Sequence, residues 1–222
     1  MGIADASRRR EVAAPRREDT AAPRRRLEPD ERRAQILECA IDMFGDRPYA
    51  AVSTADLAQQ AGVTRGLINH YFGTKRDLYL AVVRRMVDVP PFDRITLPSG
   101  TVRERAAAGV DWLLGVIEEH GSTWVAVTGS EGVGDDPEVQ RILDEADEAA
   151  AERVLVLLGL TGTDNEAELL AMVRAFGGIV KAANREWITR ATLTREQVQM
   201  LLTDLLVTLV TETFPRLRGT RA

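Results

Sequence analysis

Residues 61–75 read AGVTRGLINHYFGTK. The stretch mixes glycines, hydroxyl and amide side chains, two aromatics and a lysine, a composition that suits neither a buried helix nor a solvated loop. Just upstream, Ser53 is placed to cap a helix, with Asp56 three residues on in a capping-box pattern. That helix runs from Thr54 to Ala61 and stops at Gly62, a position for a left-handed residue after a helix end. Thr64 then caps a second short helix that closes at Gly73, and Thr74 caps a third with Asp77 three residues on. Ala58, Gly62 and Ile68 stand at the spacing A-x3-G-x5-I. The small residue lets two helices approach, the glycine makes the turn, and the isoleucine anchors the second helix to the core. That spacing predicts a helix-turn-helix.

With Ile68 and Phe72 turned inward, the outer face of the second helix carries Thr64, Arg65, Leu67, Asn69 and His70, with Tyr71 at its flank. Such side chains reach base edges or phosphates, so the mixed character has a cause: a recognition helix is apolar behind and hydrogen-bonding in front. Lys75 falls in the first turn of the next helix, where free N–H groups already attract an anion, so a cation there suggests a bound DNA phosphate. It is one of only two lysines, with Lys181, in a chain that otherwise takes arginine for its cations.

Upstream, Asp30 is a plausible start for a helix in which Ala34, Ile36, Leu37, Ala40, Ile41 and Phe44 recur at helical spacing, with Gly45 as its stop. Residues 1–27 hold three arginine clusters among Ala and Pro without apolar periodicity, which reads as a disordered arm, either touching nucleic acid or only solvated. Downstream, PPFDRITLPSG breaks the chain, and long helical patterns follow near 101–119, 122–129, 137–159, 165–189 and 194–213. The chain therefore reads as all-α, about nine helices. Its parts are an arm (1–27), a helix-turn-helix unit (28–86), a larger helical unit (87–216) and a tail (217–222).

Charge divides along the same line. Residues 1–89 carry 16 Lys and Arg against 13 Asp and Glu, whereas residues 90–222 carry 13 against 21. A polyanionic partner is thus expected for the first part only. One cysteine, Cys39, excludes an internal disulfide and reads as a buried thiol. Two histidines far apart, His70 and His120, argue against a metal cluster, and no cofactor is expected. No long apolar run or signal peptide appears, so a cytoplasmic protein without a membrane contact is expected. No nucleophile–base pair, catalytic carboxylate pair or phosphate loop has the spacing an enzyme needs.

The segments ILECAIDMF (36–44) and STADLAQQAGVTRGLINHYFGTKRDLYLAVV (53–83) resemble the DNA-binding part of the tetracycline-repressor (TetR-like) family of bacterial transcriptional regulators. The resemblance covers about residues 31–83. It implies a three-helix DNA-binding unit, a connecting fourth helix and a larger helical unit that dimerises and binds a small inducer. Position by position, Thr64, Arg65, Leu67, Asn69, His70 and Tyr71 match the recognition surface, and Lys75 matches the phosphate-contacting lysine. Many members carry tyrosine where Asn69 stands, which leaves base reading and a lost phosphate contact as alternatives.

No motif covers residues 90–222. LLAMVRAFGGIVKAANREW (169–187) and VQMLLTDLLVTLV (198–210) hold more apolar surface than one core face needs. Two adjacent glycines inside a helix each cost about 1 kcal/mol against alanine, which a close helix approach would explain. Gly177, Gly178, Leu201 and Leu205 are therefore the candidate homodimer contacts. Trp112, Trp124, Met172, Phe176 and Trp187 are candidate linings for an apolar or amphipathic effector. DEADEAAAER (144–153) reads as a solvated face. The expected function is a dimeric repressor of a pseudo-palindromic operator, released by a small hydrophobic or amphipathic ligand. A DNA-binding protein without ligand control is the alternative.

Overall fold

The computed structural model describes residues 28–88, 99–129 and 136–219. The arm at 1–27, the proline-rich break through 98, most of the GVGDDP turn and residues 220–222 lie outside the described residues. Within them the chain is all-α, and no strand forms.

The first four helices are α1 (Pro29–Asp46), α2 (Thr54–Gln60), α3 (Arg65–Phe72) and α4 (Lys75–Val87), with a 3-10 turn at Tyr49–Ala51. Their ends are written by local chemistry. The Ser53, Thr64 and Thr74 hydroxyls accept from the backbone N–H groups of Asp56, Leu67 and Asp77 at 3.1, 3.2 and 3.1 Å. Asp77 returns the favour only at α4, where its carboxylate accepts from Thr74 N–H at 2.9 Å, so the box foreseen at α2 is a single bond. Gly62 and Gly73 sit at φ +63° and +81°, where a side chain would be strained. Two expectations change. The N-cap of α1 is Glu28 rather than Asp30, because Pro29 supplies the preset φ of a first helical residue. Gly45 does not end α1, which continues to Asp46. A Cβ there would collide with Thr123 Oγ1, so the glycine serves a close approach between helices.

The larger part comprises α5 (Val102–Glu118), α6 (Gly121–Thr128), α7 (Pro137–Leu158), α8 (Glu166–Asn184) and α9 (Arg195–Thr208). Helix α8 runs on through a π-turn at Arg185–Thr189, and α9 runs on through another at Leu209–Thr213 into Phe214–Gly219. Helical structure thus extends into the segment expected to be tail. Helices α5, α7, α8 and α9 pack side by side, while α6 bridges from α8 to α1 and α4.

Two joints tie the small helical part to the large one. Thr123 is buried, and its hydroxyl donates to the Ile41 carbonyl at 2.8 Å, fixing α6 on α1. On the other side Arg76 donates to both Asp136 oxygens, at 2.6 and 2.8 Å, and Arg84 donates to Glu138 at 2.8 Å, lacing α4 to the start of α7. No helix among the described residues is long and apolar enough to cross a membrane.

Candidate nucleic-acid interface and effector cavity

Helix α3 divides its residues as an amphipathic helix must. Ile68 is fully buried and Phe72 is buried, with the Arg33 guanidinium 4.7 Å from the Phe72 ring centre. Arg65, Asn69 and His70 are exposed, and Leu67 and Tyr71 are half-buried at the flank. The rings of His70 and Tyr71 meet edge-on at 5.2 Å. Thr64 is exposed, but its hydroxyl is engaged as the cap of α3, so what it offers outward is its second lone pair, its proton and its methyl group.

Lys75 stands differently from its neighbours. Its Nζ donates to the Tyr49 carbonyl at 2.6 Å and lies 4.0 Å from the Tyr49 ring centre. Burial pushes its pKa below the usual lysine value. The ammonium therefore pins the 3-10 turn to the start of α4, leaving its other protons for an outside acceptor. Tyr49 in turn stacks with Phe44 and meets Tyr79 edge-on, so this cation rests on an aromatic cluster.

In the larger part, an apolar cavity of about 120 Å³ lies among α4 to α8. Trp124 and Phe176 line it, together with Val87, Leu113, Leu143 and Val173. Trp112, Met172 and Trp187 do not. Trp112 and Met172 each precede a lining residue, Leu113 and Val173, and one step turns a helical side chain by about 100°. Trp187 sits in the π-turn beyond the end of α8. Gly177 also lines the cavity, whereas Gly178 is exposed, and a Cβ on either would touch nothing within 4 Å. The glycine pair therefore faces two ways. Leu201 and Leu205 are exposed at 40% and 37%, alongside Ile179 and Met200.

The acidic helix segment is more than a solvated face. Asp147 accepts from Lys181 at 2.6 Å at the cavity wall, Glu148 accepts from Arg174 at 2.6 Å, and Ala146, Ala150 and Ala151 line the cavity between them. Cys39 is half-buried rather than buried. Burial, and then Asp42, push its thiol up, which keeps it protonated. Among the described residues no cluster of His, Cys, Asp and Glu could hold a metal.

Sequence reasoning missed the aliphatic lining and both joints. Leu113, Leu143 and Val173 carry no signal beyond ordinary core. Thr123, a polar residue inside the apolar run TWVAV, was a readable one.

Residues 36–82 match the bacterial regulatory proteins of the tetR family, and residues 102–209 match the tetracyclin repressor-like C-terminal domain. The chain belongs to the TetR family. That family is one of transcriptional regulators, not of enzymes. Among curated relatives, the HTH-type transcriptional activator FasR of Mycolicibacterium smegmatis is 32% identical over 60% of this chain and 61% of its own. The HTH-type transcriptional regulator BetI of Rhizobium meliloti is 33% identical over 37% of this chain and 41% of its own. This TetR-family chain thus spans less than two thirds of either. A tetR-family transcriptional regulator from Streptomyces coelicolor superimposes with TM-score 0.71 at 25% identity, over 87% of each chain. FadR from Bacillus subtilis, solved in complex with stearoyl-CoA, shares the fold with TM-score 0.57 at 18% identity over 80% of this chain and 97% of its own.

Proposed function

We propose that the protein is a DNA-binding transcriptional repressor that grips a pseudo-palindromic operator as a homodimer and lets go when a small hydrophobic or amphipathic molecule fills the cavity. In this reading residues 28–86 are the DNA-binding unit, residues 87–216 the effector and dimerisation unit, and the protein works in the cytoplasm. Arg65, Asn69 and His70 meet base edges or phosphates in the major groove, with Thr64, Leu67 and Tyr71 beside them and Lys75 at the backbone.

The observation that carries the reading is the position of Val87. It closes α4, whose first turn follows directly on α3, and it lines the apolar cavity at the other end of the same helix. A molecule that fills the cavity can favour one setting of α4 over another, and so one spacing of two recognition helices. The shift it produces is limited to its difference in affinity for the two settings.

Dimerisation is supported by an exposed stripe of small and apolar residues on α8 and α9: Ala171, Ala175, Gly178 and Ala182, with Leu201 and Leu205. A helix glycine with open space around its Cβ gains nothing inside its own chain. Close approach of a second copy gives it a use.

Sequencing DNA fragments selected by the purified protein tests the reading. The expected result is an inverted repeat with half-site centres about 34–36 Å, or a multiple, apart. A monomer protecting an asymmetric site would sink it. Hydrophobic compounds that change tryptophan emission should also release the operator; binding without release would leave a regulator with no ligand control. The activator named among the relatives favours a second reading, in which the bound dimer raises transcription. A promoter reporter with and without the protein separates the two by sign.

A further inference from the structure

The apolar cavity does not end in apolar walls. Thr128 and Lys181 line it and also line a neighbouring cleft of about 220 Å³, between the end of α6 and the end of α8. Among the described residues the rest of that cleft is Val125, Gly129, Ala182 and Arg185, so its described wall holds two cations and no carboxylate. The opening on the other side differs. There Arg84, Arg85 and Arg153 share the wall with Asp88 and Glu145.

Arg185 is the unusual member. It is half-buried, and it makes no ion pair or side-chain hydrogen bond among the described residues, whereas Lys181 beside it is paired with Asp147. A guanidinium offers five donors in a fixed fork that suits a carboxylate or phosphate. Removing it partly from water without a partner is unfavourable unless something else accepts those donors. The chain also makes room for it: a Cβ on Gly129 would stand 2.5 Å from Arg185 Nη2. Finally, Arg185 opens the π-turn that ends α8, with Arg190 N–H donating to the Arg185 carbonyl at 3.0 Å. Single π-turns of this kind recur at functional sites.

We infer that the effector is an anionic amphiphile, its apolar tail in the α4–α8 cavity and its carboxylate or phosphate head on Arg185, with Lys181 beside it. The inference rests on the effector reading above and adds to it the sign of the head group and its place. A cation near the end of α6 also has a purely structural use, because the last carbonyls of a helix attract positive charge. The test must separate the two.

The probes are laurate, lauroyl-CoA, dodecanol and CoA alone, titrated by tryptophan emission, to which Trp124 in the cavity wall contributes. They share or lack one tail, and their heads are a carboxylate, phosphates or an uncharged hydroxyl. Arg185→Gln should weaken at least one of the two charged lipids by about tenfold or more, the scale of a lost charge-assisted hydrogen bond. Dodecanol should bind the variant as it binds the parent, and operator affinity without ligand should not change. Arg185→Lys should restore part of the loss. Which charged lipid responds tells a carboxylate head from a phosphate one. Equal weakening of dodecanol, or no weakening of either charged lipid, overturns the inference while leaving the effector reading intact. If dodecanol, laurate and lauroyl-CoA all fail to bind the parent protein, both fall together.

Discussion

The recognition face and the cavity are built by opposite means. The face occupies one eight-residue helix, and every feature that sets it lies within about ten positions: Thr64 caps it, Gly62 and Gly73 turn the chain at either end, and Ile68 holds its back. The cavity takes its wall from five helices, with Val87 and Lys181 nearly a hundred positions apart. A convex surface on a single helix can be specified by a short run of sequence. A concavity among several helices is specified by where each of them stops and how they lean, and no short run records that.

The largest contrast should be energetic. Leu57 is 1% exposed in the core of the helix-turn-helix, and Leu113 borders the cavity. Leu57→Ala should cost about 2–5 kcal/mol and remove operator binding, because it opens a hole in a packed core. Leu113→Ala enlarges a space already present and should cost less, under about 2 kcal/mol. Urea unfolding monitored by circular dichroism measures both. Equal costs would mean the cavity wall is as tightly packed as the helix-turn-helix core, and the contrast would fail.

A second experiment divides the face itself. Asn69→Ala should lose about 1–3 kcal/mol on the operator and little on random DNA, as expected for a residue that reads a base. Lys75→Ala should weaken binding to all sequences and lower the salt slope by about one charge. It should also loosen the Tyr49 turn, which the ammonium holds at 2.6 Å, so a small drop in thermal stability should accompany it. Should Asn69→Ala cost the same on both DNAs, that amide touches the backbone.

The adjacent glycines sharpen the comparison within one helix. Gly178→Leu puts a side chain on the exposed stripe and should raise the dimer dissociation constant at least tenfold, about 1.4 kcal/mol. Gly177→Leu should instead fill the cavity, abolishing any response to hydrophobic compounds while leaving the dimer. Leucine is the better helix former by somewhat less than about 1 kcal/mol, so an unfolded protein is not the expected outcome of either change. Sedimentation and tryptophan titration give the two readouts. Identical behaviour of the two variants would remove the distinction.

What was legible follows the same division. The helix boundaries from Thr54 to Lys75 could be read because side-chain caps and left-handed glycines are local devices. Gly45 was misread for a related reason. A glycine looks the same in sequence whether it ends a helix or admits a neighbour, and here the neighbour is Thr123, 78 positions away. Bulk alone made Trp124 and Phe176 candidates, and they line the cavity, but Trp112, Met172 and Trp187 are also large and fall outside it. Size marks candidates, and only the rotation of each helix about its axis decides among them.

The smallest expected effect concerns the strap between α4 and α7, which joins the two regions just contrasted. The Arg76 guanidinium, bonded to both carboxylate oxygens, holds Asp136 at a pKa of about 2, with backbone bonds from Glu138 and Val139 N–H adding to it. In the unfolded chain an aspartate titrates near about 3.9. A carboxyl whose pKa is depressed by folding adds stability that is complete above the unfolded value and disappears as pH falls through the folded one. Asp136→Asn should therefore be less stable than the parent by a constant margin above about pH 4, and the margin should close between about pH 4 and pH 2. Because the Arg76 side of the pair is open to solvent, raised salt should shrink it as well. Arg76→Gln should show a margin that closes in the same window, since it removes the same guanidinium–carboxylate bonds, with the longer bonds to Glu138 lost as well. Thermal unfolding of the three proteins along a pH series is the measurement. A margin that stays fixed down to pH 2 would show that folding does not depress the Asp136 pKa, and that the two regions are held together at α1 and α6 instead.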